Sequence, residues 1–386
     1  MTTVRLPRPD GRLVPHQMVG RPLERVGGTP ATSRVAYAAA HVVADPLADN
    51  TPGQPAKLDW DATLAFRRHL WRYGLGVADA MDTAQRGMGL DWPTTAELIR
   101  RSASEAATVG GALVCGVGTD QLGPGMHVLP DVLHAYEEQL AVVEDAGASA
   151  VVMASRQLAA SANSPEDYLQ VYGELLRQAS RPVILHWLGP MFDPALAGYW
   201  GGNDLDSATD TFVQIIDKHQ PAVDGVKVSL LDRDREVALR RRLPDGVRCY
   251  TGDDFNYPAL IRGDAAGHSN ALLGVFDPIA PAAALALTAL DAGDLEGYEK
   301  AFAPTVPLSR HLFAEPTYYY KTGIVFLAWL AGHQSHFTMV SGLQSARSLP
   351  HLAQLFVLAD EAGLFPDPDQ AASRMRALLD VAGISR

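Results

Sequence analysis

The sequence predicts an α/β fold, a closed (β/α)8 TIM barrel with an N-terminal arm and a helical C-terminal extension. Short apolar runs alternate eight times with longer amphipathic segments between residues 34 and 293. Such alternation implies right-handed crossovers and a parallel sheet, and the span suits a barrel of about 250 residues. The rival is an open doubly wound sheet, which usually carries a glycine-rich phosphate loop after an early strand. The nearest candidate, GVGTDQLGPG at 116–125, departs from the GxGxxG spacing. The closed barrel is therefore the expectation.

Residues 1–33 are rich in Pro and Gly and read as an arm. The first strand is expected within RVAYAAAHVVA (34–44), with the helix DWDATLAFRRHLWRYG (59–74) after it. The second pair is GLGVADAMD (74–82) and DWPTTAELIRRSASEAATVG (91–110), and the third is GALVCGVG (111–118) and LPDVLHAYEEQLAVVEDAG (129–147). ASAVVMAS (148–155) is fourth; its helix, 164–180, opens on Ser164-Pro165-Glu166, a good N-cap and first turn. RPVILHWLG (181–189) precedes the helix at 207–220, and VDGVKVS (223–229) precedes that at 234–243. VRCYTGDD (247–254) leads into NYPALIRG (256–263), and GHSNALLGVF (267–276) into the helix at 278–293. Four further helical patterns, at 296–313, 318–332, 349–363 and 368–383, make residues 294–386 a helical region expected to pack on the barrel of residues 34–293.

Composition narrows the function. With 44 acidic against 32 basic residues the net charge is −12, which disfavours nucleic acid, because phosphate neutralisation needs clustered Lys and Arg. The run Arg240–Arg242 reads as the solvated face of a helix. Two cysteines, Cys115 and Cys249, supply no disulfide framework or metal spacing. The N-terminus lacks a signal-peptide core, and the apolar GIVFLAWLAG (323–332) is too short to span a bilayer. A soluble, cytoplasmic protein without a membrane partner is expected.

One residue breaks the pattern. In AVDGVKVSLLD (222–232), Val226, Val228 and Leu230 share one face, while Gly225, Lys227 and Ser229 share the other. If the valines meet the outer helices, Lys227 points into the barrel near the C-terminal end of the sixth strand, where barrels of this type carry their active sites. Burial pulls a lysine's pKa down, and a neutral amine can attack a carbonyl to form a Schiff base. A buried ion pair is the structural alternative.

These residues resemble a family. DGVKVS is similar to the sixth-strand segment of the dihydrodipicolinate synthase and N-acetylneuraminate lyase superfamily of Schiff-base aldolases. YTGDDFNYPALIRGDAAGHSNALLG (250–274), the helix start at Ile279-Ala280-Pro281 and EPTYYYKTGIVFLAWLAG (315–332) resemble its later motifs. The resemblance implies Lys227 as the imine-forming residue, no cofactor, a small-molecule carbonyl substrate and a homodimer or homotetramer. Members that use pyruvate hold its carboxylate with Gly-Thr-Thr-Gly-Glu after strand two. Here MDTAQRG (81–87) keeps Thr83 and introduces Asp82 and Arg86. They also end strand four on a proton-relaying tyrosine, where this chain has VVMASRQLAAS (151–161). The departures count against pyruvate, and the expectation is a lyase or aldolase, or a related hydratase or dehydratase, acting on a small oxo acid or a hydroxylated, sugar-derived carbonyl compound.

Other groups at strand ends are candidates for the missing roles. His186 ends the fifth strand and suits proton transfer. Asp82, Thr83, Ser155 and Arg156 end the second and fourth strands and are expected to bind substrate. Of Asp253 and Asp254, one is expected to cap the next helix and the other to face the pocket. His268 and Asn270, at the start of strand eight, complete the expected set. His186, His268 and the aspartate pair would alternatively serve a metal-dependent sugar isomerase or epimerase. A third reading is a non-catalytic carbohydrate sensor that tolerates loss of Lys227. His333 and His336 could form half of a metal site, and Tyr318–Lys321 reads as packing.

Overall fold

The computed structural model describes residues 2–24, 28–202 and 204–384. The chain forms two compact units, one of residues 34–40 and 76–274, the other of residues 1–33, 41–75 and 275–386.

The first unit holds eight parallel strands: β3 (Ala36–Ala39), β4 (Gly76–Asp79), β5 (Leu113–Val117), β6 (Ser149–Val152), β7 (Val183–Leu188), β8 (Val223–Ser229), β9 (Arg248–Thr251) and β10 (Asn270–Leu273). Each pairs with the next in sequence and β10 pairs with β3, closing the barrel. The helices of this unit are α2 (Trp92–Val109), α3 (Leu129–Asp145), α4 (Arg156–Ser161), α5 (Pro165–Gln178), α6 (Leu205–Lys218), α7 (Arg233–Arg240) and α8 (Tyr257–Arg262). The α4 turn was not foreseen; Ser155 nucleates it by accepting a hydrogen bond from Leu158 N.

Alternation fixes which side chains fill the barrel. Ala39, Ala78, Val114, Val151, Met153, Ile184, Tyr250 and Leu272 form one buried interior cluster. Near the N-terminal ends of the strands, the Tyr250 hydroxyl donates to Asp224 Oδ2 at 2.7 Å, and its ring lies 6.2 Å from that of Tyr37. Gly225 makes room for it, since a Cβ there would stand 2.7 Å from the Tyr250 ring. A large side chain opposite a missing one is how a narrow barrel closes without a void.

The second unit holds an antiparallel hairpin, β1 (Thr3–Pro7) and β2 (Leu13–Gln17), inside the stretch read as an irregular arm. It also holds α1 (Trp60–Trp71), α9 (Ala280–Asp291), α10 (Leu295–Phe302), α11 (Thr305–Leu312), α12 (Tyr320–Leu330), α13 (Leu349–Glu361) and α14 (Pro368–Val381). The pattern at 296–313 splits into two helices at Pro304, which cannot donate an amide hydrogen to the ladder. Buried Asp360 of α13 ties down the hairpin's exit, accepting from Val19 N at 2.9 Å and Gly20 N at 3.1 Å and bonding His16 Nε2 at 2.8 Å. No described helix is long and apolar enough to cross a membrane.

One buried acid lies on the barrel's outer wall. Glu236 of α7 bonds Thr251 Oγ1 at 2.9 Å and Ser269 Oγ at 2.7 Å, and burial pushes its carboxyl from 4.5 up to about 8. A carboxyl raised in the folded state stabilises fully below its unfolded pKa, and that contribution disappears as pH rises through 8. Stability should therefore fall between pH 5 and pH 8, by at most about 5 kcal/mol. Glu236→Gln should flatten that slope, measured by urea denaturation across the range.

Candidate active site

The sixth barrel strand, β8, sets the site. Val226 and Val228 are buried on its outer face, and Gly225, Lys227 and Ser229 face inward. Lys227 stands opposite His186 of β7 and Tyr250 of β9 in register. It is 7% exposed. Burial holds its amine below the ordinary lysine range, and the carboxylates of Asp82 and Asp254 pull it part of the way back. Gly252 opens the passage: a Cβ there would stand 3.0 Å from Lys227 Cε and collide with Ser229 Oγ.

His186 is fully buried. Its Nε2 lies 3.1 Å from Ser229 Oγ, while Nδ1 is buried without a hydrogen-bond partner among the described residues. Burial, and then the Lys227 charge, hold the imidazole well below its ordinary pKa. It is a neutral ring at physiological pH.

The other expected residues divide into three groups. Asp82 and Asp254 act on the lysine from the ends of β4 and β9. Asp253 caps the loop after β9 instead: Oδ1 accepts from Phe255 N at 2.8 Å and Asn256 N at 3.0 Å, and Oδ2 from Asn256 Nδ2 at 2.8 Å. Thr83 is buried in the single turn Asp82–Ala84.

A second group belongs to a pocket of about 400 Å3 at the C-terminal ends of β4 to β7. Asp82, Ser155 and Arg156 line it, with Arg86, Thr119, Asp120, Gln157, Leu188 and Asp193. Lys227 and His186 are not in that lining; Asp82, which acts on Lys227 and faces the pocket, links the two. Arg156 is paired with Asp193 through Nε.

The third group lies elsewhere. Asn270 opens β10 at the opposite end of the barrel, where its Oδ1 accepts from Val35 N at 2.8 Å. His268, two residues earlier, is exposed. The donor set His186, His268, Asp253 and Asp254 thus does not converge. No group of three His, Cys, Asp or Glu able to hold a metal occurs among the described residues.

Sequence reasoning missed several neighbours. Thr119 Oγ1 bonds Ser155 Oγ at 2.6 Å and donates to Gln157 Oε1 at 2.8 Å. The end of β6 lacks a tyrosine of its own, but Tyr199 accepts from Ser155 N at 3.0 Å and bonds the Tyr172 hydroxyl at 2.9 Å. Tyr136 donates to Met153 O at 2.6 Å. Burial pushes Tyr136 up to about 12 and raises Tyr172 and Tyr199 well above their ordinary values, so these phenols stay neutral. Thr119 ends a strand, a signal the sequence did offer. Tyr199 sits in an irregular loop and offered none.

Gly252→Ala should destabilise by about 1–3 kcal/mol, since the methyl meets Ser229 and Lys227. Gly123→Ala, where a Cβ meets nothing within 4 Å, should stay within about 0.5 kcal/mol. Urea denaturation of both variants checks the contrast.

Solved structures share this fold. YagE, a prophage protein of the dihydrodipicolinic acid synthase family from E. coli K12 in complex with pyruvate, matches with a TM-score of 0.63 at 13% identity, over 92% of this chain and 100% of that one. Dihydrodipicolinate synthase from Bacteroides thetaiotaomicron matches with a TM-score of 0.62 at 13% identity, over 91% and 100%. That from Thermotoga maritima gives 0.59 at 15% identity, over 91% and 100%. No curated protein matches the sequence. The model of the family described as "Protein of unknown function (DUF993)" matches residues 4–384, and the chain belongs to that family.

Proposed function

We propose that this chain is an imine-forming lyase or aldolase, or a related hydratase or dehydratase, that acts on a small carbonyl compound through Lys227. The observation that carries the reading is an inward, buried lysine near the C-terminal end of the sixth strand of a (β/α)8 barrel, faced by two carboxylates. The fold it shares with dihydrodipicolinate synthases, and with a relative solved with pyruvate, supports it.

The chemistry balances with this chain's own groups. The neutral Lys227 Nζ attacks the carbonyl carbon, the nitrogen gives up a proton and the carbonyl oxygen takes one, giving a neutral carbinolamine. A second proton on that oxygen lets it leave as water, and the nitrogen lone pair forms a protonated C=N bond. A base then takes the proton of a hydroxyl on the carbon β to the imine, that oxygen closes a new C=O, and the Cα–Cβ bond breaks with its electron pair moving into the imine, so that an aldehyde leaves and an enamine stays on the lysine. Protonation at carbon and hydrolysis return the free amine. Neutral His186 and the Asp82 and Asp254 carboxylates are the proposed proton carriers.

Borohydride should trap a covalent adduct on Lys227 with at least one small carbonyl compound, read by intact mass and peptide mapping, and Lys227→Met should abolish it. A folded protein that gives no adduct across pyruvate, hydroxypyruvate, dihydroxyacetone and keto-sugars would sink the reading. Trapping should also rise with pH as the amine loses its proton. Asp254 raises the lysine's pKa, so Asp254→Asn should move the rise to lower pH. A rise unmoved, or moved upward, would contradict the role given to Asp254.

A further inference from the structure

Both cations in the pocket wall are neutralised from within the wall. Arg86 is buried, with Nε 3.1 Å from Asp120 Oδ2 and Nη2 paired with the same carboxylate. Its Nη1 donates to Gly116 O at 2.9 Å and Ala80 O at 3.3 Å, and Nη2 also donates to Gln139 Oε1 at 2.7 Å. Every nitrogen of this guanidinium is thus engaged by oxygens of the chain itself. Arg156 is paired with Asp193 and reaches Gly87 O at 3.4 Å. Burial alone would raise the Asp120 carboxyl, but Arg86 outweighs it and keeps the group ionised.

Three carboxylates, Asp82, Asp120 and Asp193, therefore face two guanidiniums among the lining residues. A cation formed at Lys227 is itself already faced by Asp82 and Asp254. A substrate carboxylate entering here would meet excess negative charge and two cations already paired within the wall, a costly arrangement where water is partly excluded. What the wall does offer suits hydroxyl groups. Asp82 supplies acceptor oxygens, and the Thr119 and Ser155 oxygens, 2.6 Å apart with their protons directed to Gln157 and to each other, keep lone pairs for a substrate hydroxyl to donate to.

We propose that this pocket selects an uncharged, hydroxylated carbonyl compound, a short ketose- or aldose-like chain without a carboxylate, over the corresponding oxo acid. The inference rests on the imine chemistry proposed for Lys227. Its specificity determinants are the Arg86–Asp120 and Arg156–Asp193 pairs, which remove the cations that would otherwise bind an acid.

Dihydroxyacetone and hydroxypyruvate make a matched test, because they differ only in a hydroxymethyl group against a carboxylate. Borohydride trapping on Lys227 of the whole chain should be faster with dihydroxyacetone by about tenfold or more. Equal rates, or a preference for hydroxypyruvate, would overturn the inference while leaving the imine chemistry standing. No adduct with either, or with the remaining carbonyl compounds, would overturn the imine chemistry and the inference together. Asp193→Asn, at the better exposed of the two pairs, should release Arg156 and lower the dihydroxyacetone preference several-fold. A preference unchanged in folded Asp193→Asn and in folded Asp120→Asn would overturn the role given to the ion pairs.

Discussion

An amine inside a closed barrel is the constraint on which the rest of this site depends. A lone ammonium in so dry a place costs several kcal/mol, and the chain meets that cost from several strands at once. Asp82 from the end of β4 and Asp254 from the end of β9 supply compensating charge. Gly252 supplies volume by omitting a side chain where the lysine's Cε passes. His186 stands opposite in register and stays neutral, which avoids a second cation beside the first. Each neighbour answers either the charge of Lys227 or its bulk.

The barrel holds these neighbours in place by filling its far end. Tyr37 and Tyr250 occupy the interior near the N-terminal ends of the strands, in space left by glycine on the adjacent strands, and Asp224 anchors the Tyr250 hydroxyl. At the other end, Ala80, directly after β4, and Leu231, two residues beyond β8, adopt left-handed φ of 52° and 53°. Such conformations cost about 1 kcal/mol or more for residues with a Cβ. They occur where the chain turns off β4 toward Asp82 and off β8, the strand that carries Lys227.

The same geometry explains what the sequence could and could not reveal. Alternation is a local property, so eight strands and the inward direction of Lys227 and Ser229 follow from the order of residues alone. Height along the barrel axis is not local. His268 and Asn270 carry suitable chemistry, yet β10 begins at Asn270, which puts them at the end away from the pocket. Pairing across loops is equally hidden: Arg86 finds Asp120 and Arg156 finds Asp193, each more than thirty residues on. The hairpin in residues 1–33 is hidden because Pro7, Pro9, Gly11 and Pro15 interrupt its alternation, while its exit is tied to a distant aspartate of α13.

Two kinds of support therefore coexist in one site. Lys227, His186 and Ser229 lie on strands whose register is fixed by the ladder, so moving any of them by one position would turn it out of the barrel. The groups around the pocket sit on the turns after β4, β5, β6 and β7, held by ion pairs and hydroxyl contacts that involve few other parts of the barrel. Asp193, for example, can lose its charge without disturbing a strand, whereas Gly252 cannot gain a methyl group without displacing Lys227 or Ser229. A fold built this way keeps the position of its amine while the charge of the surrounding wall changes. That separation is a physical reason why a closed barrel can hold an inward lysine in a fixed place and still surround it with carboxylates.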